Sequence, residues 1–129
     1  MPRAYTIATA ALALNISPKW LDNILSHYRV SGVVQERQGV SRRITIDGLL
    51  TLSITQLLTV DLGLTVNRAL QIAEELIAGE GASASGSLKL ELDLVELRTR
   101  LISQLESAVE VAPLPRRGRP PRNTTGRLD

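Results

Sequence analysis

The 129-residue chain contains no cysteine. Disulfides, thiolate metal sites and cysteine nucleophiles are therefore excluded. His27 is its single histidine, so a histidine-based metal site has no second imidazole to draw on. Aromatics are nearly absent: Tyr5, Trp20 and Tyr28, with no Phe. The core must be made of Leu, Ile, Val and Ala, for which a hydrophobic content of 43% is enough. The uncharged stretch from Gly48 to Val60 falls short of the ~20 residues a membrane span requires, and Thr, Ser and Gln interrupt it. The Ala-rich segment Ile7 to Leu14 follows only one cation, Arg3, and Thr6 and Thr9 punctuate it, which suits a buried helix better than a signal sequence. Catalysis would need a nucleophile, a base and a stabiliser in one constellation, and none stands out. These absences predict a soluble, cytoplasmic, non-enzymatic protein with no cofactor and no metal.

The charge that is present is divided along the chain. The formal net charge is only +2, but residues 1–46 carry +4, residues 47–112 carry −6 and residues 113–129 carry +4. Two basic ends flank an acidic middle. Such asymmetry points to an anionic partner for the ends.

Apolar periodicity supplies the elements. Ile7, Ala10, Ala11 and Leu14 recur at helical spacing behind Thr6, a suitable N-cap, and Asn15 can end that helix in the left-handed conformation. Ser17-Pro18 then opens a second helix bearing Trp20, Leu21, Ile24, Leu25 and Tyr28. Helix, short turn, helix is the spacing of a helix-turn-helix. Val33-Val34 and Ile44-Thr45-Ile46 are β-prone and flank a basic tip that turns at Gly39, which predicts a small hairpin. Asp47 is expected to cap a helix running to Leu62, with Leu49, Leu50, Leu57 and Leu58 as its apolar contacts and Gly63 as its stop. Thr65 caps the next, burying Val66, Ala69, Leu70, Ala73, Leu76 and Ile77. Trp20 and Tyr28 are expected in the core rather than as base-stacking residues.

Residues 79–87, rich in Gly, Ala and Ser, read as a flexible linker. After it Leu88, Leu90, Leu92 and Leu94 alternate like a strand, whereas Leu94, Leu97, Leu101, Leu105 and Ala108 follow helical spacing. Whether residues 88–94 are strand or leading helical turn stays open at this level. Pro113 and Pro115 end the element, and the Arg-, Pro-, Gly- and Thr-rich remainder cannot form a core.

The order of these elements resembles the MerR-type winged helix-turn-helix from Tyr5 to Leu76. The carriers are Tyr5-Thr6-Ile7, Leu14-Asn15-Ile16-Ser17-Pro18-Lys19, Leu21, Arg42-Arg43-Ile44 before Asp47-Gly48-Leu49, and Leu62-Gly63-Leu64-Thr65. The resemblance implies that the second helix enters the major groove while the hairpin wing grips the adjacent backbone. Members of that family often sense metals or ligands through C-terminal cysteines, which this chain lacks. Asp22 and Trp20 depart from the family pattern. A carboxylate beside phosphates is unfavourable, so Asp22 either accepts from a cytosine amino group or faces away.

Phosphate binding needs cations on one face, and Lys19, Arg37, Arg42 and Arg43 fall on the second helix and the wing. Ser17 and Asn23 complete that candidate DNA-binding set, with Ser17 and Thr6 serving first as caps. The tail supplies Arg116, Arg117, Gly118, Arg119, Pro120 and Arg122. Its Arg117-Gly118-Arg119-Pro120 resembles an AT-hook. Two Arg side chains can lie along a narrow A·T-rich minor groove if the residue between them has no side chain and proline holds the chain extended.

The expected fold is mainly α. It comprises a winged helix-turn-helix with a small β-hairpin over residues 1–78, a linker over 79–87, a dimerising or interacting helix over 88–112, and a disordered basic tail over 113–129. Leu94, Leu97, Leu101 and Leu105 form the candidate dimerisation stripe, and a homodimer would present two half-sites about one symmetry axis. The expected function is a DNA-binding transcriptional regulator acting on A·T-rich duplex DNA of the nucleoid. The alternatives are a nucleoid-associated silencing protein and a protein-interaction adaptor that works through the acidic Leu-rich segment.

Overall fold

The computed structural model describes residues 4–35 and 42–111. Strand β1 (Ala4–Thr6) leads into α1 (Ile7–Leu14), and α2 (Pro18–His27) follows after three residues. The local chemistry explains each boundary. Thr6 Oγ1 accepts from the Thr9 amide, starting α1. Asn15 adopts φ 56° and ψ 49°, the left-handed C-terminal stop, and the next amide, Ile16, donates back to the Ala11 carbonyl at 3.0 Å. Ser17 Oγ accepts from the Lys19 and Trp20 amides, and Pro18 occupies the first helical position, where its missing N–H costs nothing.

Strands β2 (Val33–Val34) and β3 (Arg43–Thr45) pair antiparallel, and β1 joins the other edge of β3, giving the order β1-β3-β2. The sequence pattern predicts the β2–β3 pair but not β1, whose three residues are too few to show a period. Ile44, fully buried in the central strand, sits opposite both Tyr5 and Val33. Ile46 is not strand but the first residue of the following helix.

The base of the β2–β3 pair is pressed onto that helix, α3 (Ile46–Leu62). Gly32 takes φ +90°, and a Cβ there would stand 2.5 Å from the Gly48 amide nitrogen and from Thr45 Oγ1. A Cβ on Gly48 would stand 2.9 Å from Ile44 Cγ2. The Thr45 amide donates to the Gly32 carbonyl at 2.8 Å, closing the junction. Thr45, not Asp47, caps α3, because its Oγ1 accepts from the Gly48 amide; Asp47 instead occupies the first turn, where a carboxylate favours the helix dipole.

Helix α3 is the central element. It buries Leu49, Leu50, Leu52, Ile54 and Leu58, while Leu57, expected inside, faces solvent. Two threonines share this core. Thr55 Oγ1 donates to the Thr51 carbonyl at 2.8 Å and Thr51 Oγ1 to the Asp47 carbonyl at 3.2 Å, so neither hydroxyl is buried unpaired. Gly63, in the left-handed region, ends α3, and Thr65 caps α4 (Val66–Ala78), which packs along α3.

Residues expected as a flexible linker and an ambiguous leucine run form a second hairpin instead, β4 (Ala82–Ser85) against β5 (Leu88–Glu91). The Leu92 amide donates to the Gly81 carbonyl at 2.7 Å and anchors its base to the end of α4. Composition alone suggests a linker because small residues carry no periodicity; the pairing comes from the partner strand, in which Leu90 packs against the core. Asp93 then caps α5 (Leu94–Val111), accepting the Glu96 amide on Oδ1. Strand therefore ends at Glu91 and helix begins at Leu94.

Helix α5 folds back onto α1 and α3. Its Leu101, Leu105 and Ala108 are buried with Ala10, Ala11, Ala13 and Leu14 of α1. The alanines of α1 let the leucines of α5 approach closely, so the Ala-rich start and the Leu-rich end are two sides of one packing interface.

Candidate nucleic-acid interface

Helix α2 has two chemically distinct faces. Leu21, Ile24 and Leu25 are buried beneath it, whereas Lys19, Asp22, Asn23 and Ser26, spaced i, i+3, i+4, i+7, form an uncovered polar stripe. Arg42, immediately before β3, reaches this stripe: its Nη1 donates to Asp22 Oδ1 at 3.1 Å across a separation of 20 residues. The Asp22 side chain is 61% exposed and that of Arg42 27%, so the pair lies at the surface. Among the described residues this is the one ion pair of its planar, multi-donor guanidinium.

This contact brings the base of β2–β3 beside the exposed face of α2. Asp22 thus has a role that spacing could not show, as the anchor of Arg42. Arg43 is exposed on β3 next to buried Ile44. Lys19 is exposed in the first turn of α2, and Asn23 lies on the same stripe, its carbonyl 2.8 Å from His27 Nδ1. Ser17 Oγ is already the acceptor of the helix cap, which leaves only its hydroxyl proton for a ligand. Arg37 lies outside the described residues, as do Arg116, Arg117, Gly118, Arg119, Pro120 and Arg122.

A residue missed in the sequence joins the group. Arg29, two positions past the end of α2, lines an open polar cleft with His27, Tyr28, Gln35 and Arg42. The available signal was a cation in the short turn between α2 and β2. Tyr28, expected in the core, is 36% exposed and forms part of this cleft, whereas Trp20 packs against the core. The tyrosine is left outside because it is the C-cap of α2 and has already departed from the helical path.

The candidate dimerisation leucines are placed differently from their expectation. Leu101 and Leu105 are 1% and 2% exposed within the single chain, and Leu94 and Leu97 pack against the same core. Leu101 and Leu105 are spent on the core of the single chain, whereas Leu94 and Leu97 are half-buried and line open clefts at its edge.

No protein-family model matches the chain, and neither a curated protein nor a solved structure shows significant similarity to it. Among the described residues no helix is long and apolar enough to cross a membrane, and no cluster of His, Asp and Glu could hold a metal ion.

Proposed function

We propose that this protein binds double-stranded DNA as a winged helix-turn-helix regulator, presenting the exposed face of α2 to the major groove and β2–β3 to the neighbouring backbone. The observation that carries this reading is the Arg42–Asp22 pair, which sets the hairpin base and the polar stripe of α2 on one surface. Lys19, Arg29, Arg42 and Arg43 supply cations for phosphates there, and Asn23 supplies a side-chain amide able to pair with a base edge. Arg117-Gly118-Arg119-Pro120 adds a peptide suited to A·T-rich minor groove. Tethering the two weak contacts raises avidity without either being tight.

For the adaptor reading, Leu101 and Leu105 are in the core, while Leu88 of the same segment is exposed. Gel-shift titration at several salt concentrations tests the proposal. Affinity that falls steeply with salt, with a discrete footprint, supports a regulator. Broad A·T-rich coverage supports a silencing role, and no binding to any duplex at low salt overturns DNA binding altogether.

A further inference from the structure

The cleft at the end of α2 has a volume of about 470 Å³, within the ~300–1,000 Å³ of small-molecule sites. Separate stretches of chain line it. His27 ends α2, Tyr28 caps it, Arg29 follows in the turn, and Arg42 arrives from just before β3. Buried Leu25 and Val30 give it an apolar side.

Its charges select the ligand. Arg29 and Arg42 bring two guanidinium groups, and Asp22, paired with Arg42, is the one carboxylate in contact with either among the described residues. Two cations and one anion leave one positive charge. A guanidinium donates hydrogen bonds and accepts none, so the cleft calls for an anion rich in acceptors. Tyr28 adds a phenolic hydroxyl. His27 adds no donor while neutral, because its Nδ1 donates to the Asn23 carbonyl at 2.8 Å and Nε2 is then an acceptor. A planar carboxylate satisfies a single guanidinium fork in its own plane. The oxygens of a tetrahedral phosphoryl group point in several directions, and two arginines from different segments can share them.

We propose that this cleft binds one phosphoryl group, held between Arg29 and Arg42. A phosphodiester carries one negative charge, which balances the cleft, and the volume leaves room for an attached sugar. Two sources present that chemistry: the backbone of a duplex lying along α2, and a free phosphorylated small molecule. The first source rests on the DNA reading above; the site itself does not.

Arginine side-chain NMR on the full ¹⁵N-labelled chain tests the site. The probe is inorganic phosphate, with sodium chloride at matched ionic strength as the comparison. Phosphate should move the Nε–Hε signals of Arg29 and Arg42 along one saturable curve that chloride does not reproduce. Arg29→Gln and Arg42→Gln should each weaken phosphate binding about tenfold or more, read on the arginine that remains. Arg68→Gln, on α4, should leave it unchanged. Adding duplex DNA separates the sources. Displacement of phosphate from both signals makes the backbone the ligand. Phosphate that stays bound beside a bound duplex makes a free phosphoryl compound the ligand. Saturable phosphate binding with no duplex binding at any salt leaves the site standing and sinks the DNA reading alone. Shifts that chloride reproduces, that never saturate, or that survive both substitutions overturn the site.

Discussion

Arg42 Nη1 stands 3.1 Å from Asp22 Oδ1, joining the strand end of a hairpin to the middle of the helix beside it. The pair contributes little to stability, since exposed ion pairs are worth about 0.2–1 kcal/mol. Its consequence is positional and electrostatic: Arg42 is held at the α2 face, and the one carboxylate of that face is partly neutralised.

Removing the carboxylate should therefore act on binding more than on folding. Asp22→Asn is expected to shift the thermal midpoint only slightly while strengthening binding to arbitrary duplex DNA, because a charge that repels phosphates is gone. Discrimination between sequences should fall, since the charge-assisted anchor of Arg42 becomes a neutral, weaker hydrogen bond. Competition titrations with specific and random duplexes check both.

The Gly32–Gly48 junction fixes where the hairpin leaves the body. Gly32→Ala forces a Cβ against the Gly48 amide in a backbone conformation that L-residues avoid. It should cost about 1–3 kcal/mol in chemical denaturation. Gly48→Ala should also destabilise, reversing the usual gain of alanine over glycine inside a helix, because Ile44 stands in the way.

The two faces of α5 should respond differently to truncation. Leu101→Ala is expected to cost about 2–5 kcal/mol, the range for buried leucines in cores that do not collapse. Val95→Ala, at an exposed position, should change monomer stability by no more than about 0.5 kcal/mol. Equal losses at both positions would contradict the packing of α5 on α1.

Much of this arrangement is legible in local chemistry. Thr6, Asn15, Ser17-Pro18, Gly63 and Thr65 each act within a few residues of themselves, and they end or start helices where their side chains or backbone preferences require. What stays hidden depends on distant partners. Strand β1 exists because β3 pairs with it, and the β4 segment because β5 does. The leucines of α5 carry the same spacing whether they meet α1 or another chain, so periodicity cannot choose between the two. Asp22 looks misplaced in a helix expected to face DNA until Arg42 is found beside it. Arg29 sits in a turn whose charge is visible in the sequence, but the cleft it lines is formed with Gln35 and Arg42, which only the fold brings beside it.

Arg117 and Arg119 should contribute to the binding of A·T-rich duplexes. Substituting Arg117 and Arg119 by Ala ought to leave the melting curve unchanged. It should weaken binding to A·T-rich duplexes more than to G·C-rich ones, because the narrow groove that attracts Arg is a property of A·T tracts. Fluorescence anisotropy with matched duplexes measures the difference.

The central claim is that the α2 face and the hairpin base contact phosphates. Its most direct test is the salt dependence of duplex binding for the wild type and for the Lys19→Ala, Arg43→Ala double variant. The account predicts a linear fall of log affinity with log salt, and a slope shallower by about 0.9 for each phosphate contact removed, so by about two units in the double variant. A wild type that binds no duplex at low salt, or a double variant with the wild-type affinity and slope, would contradict it.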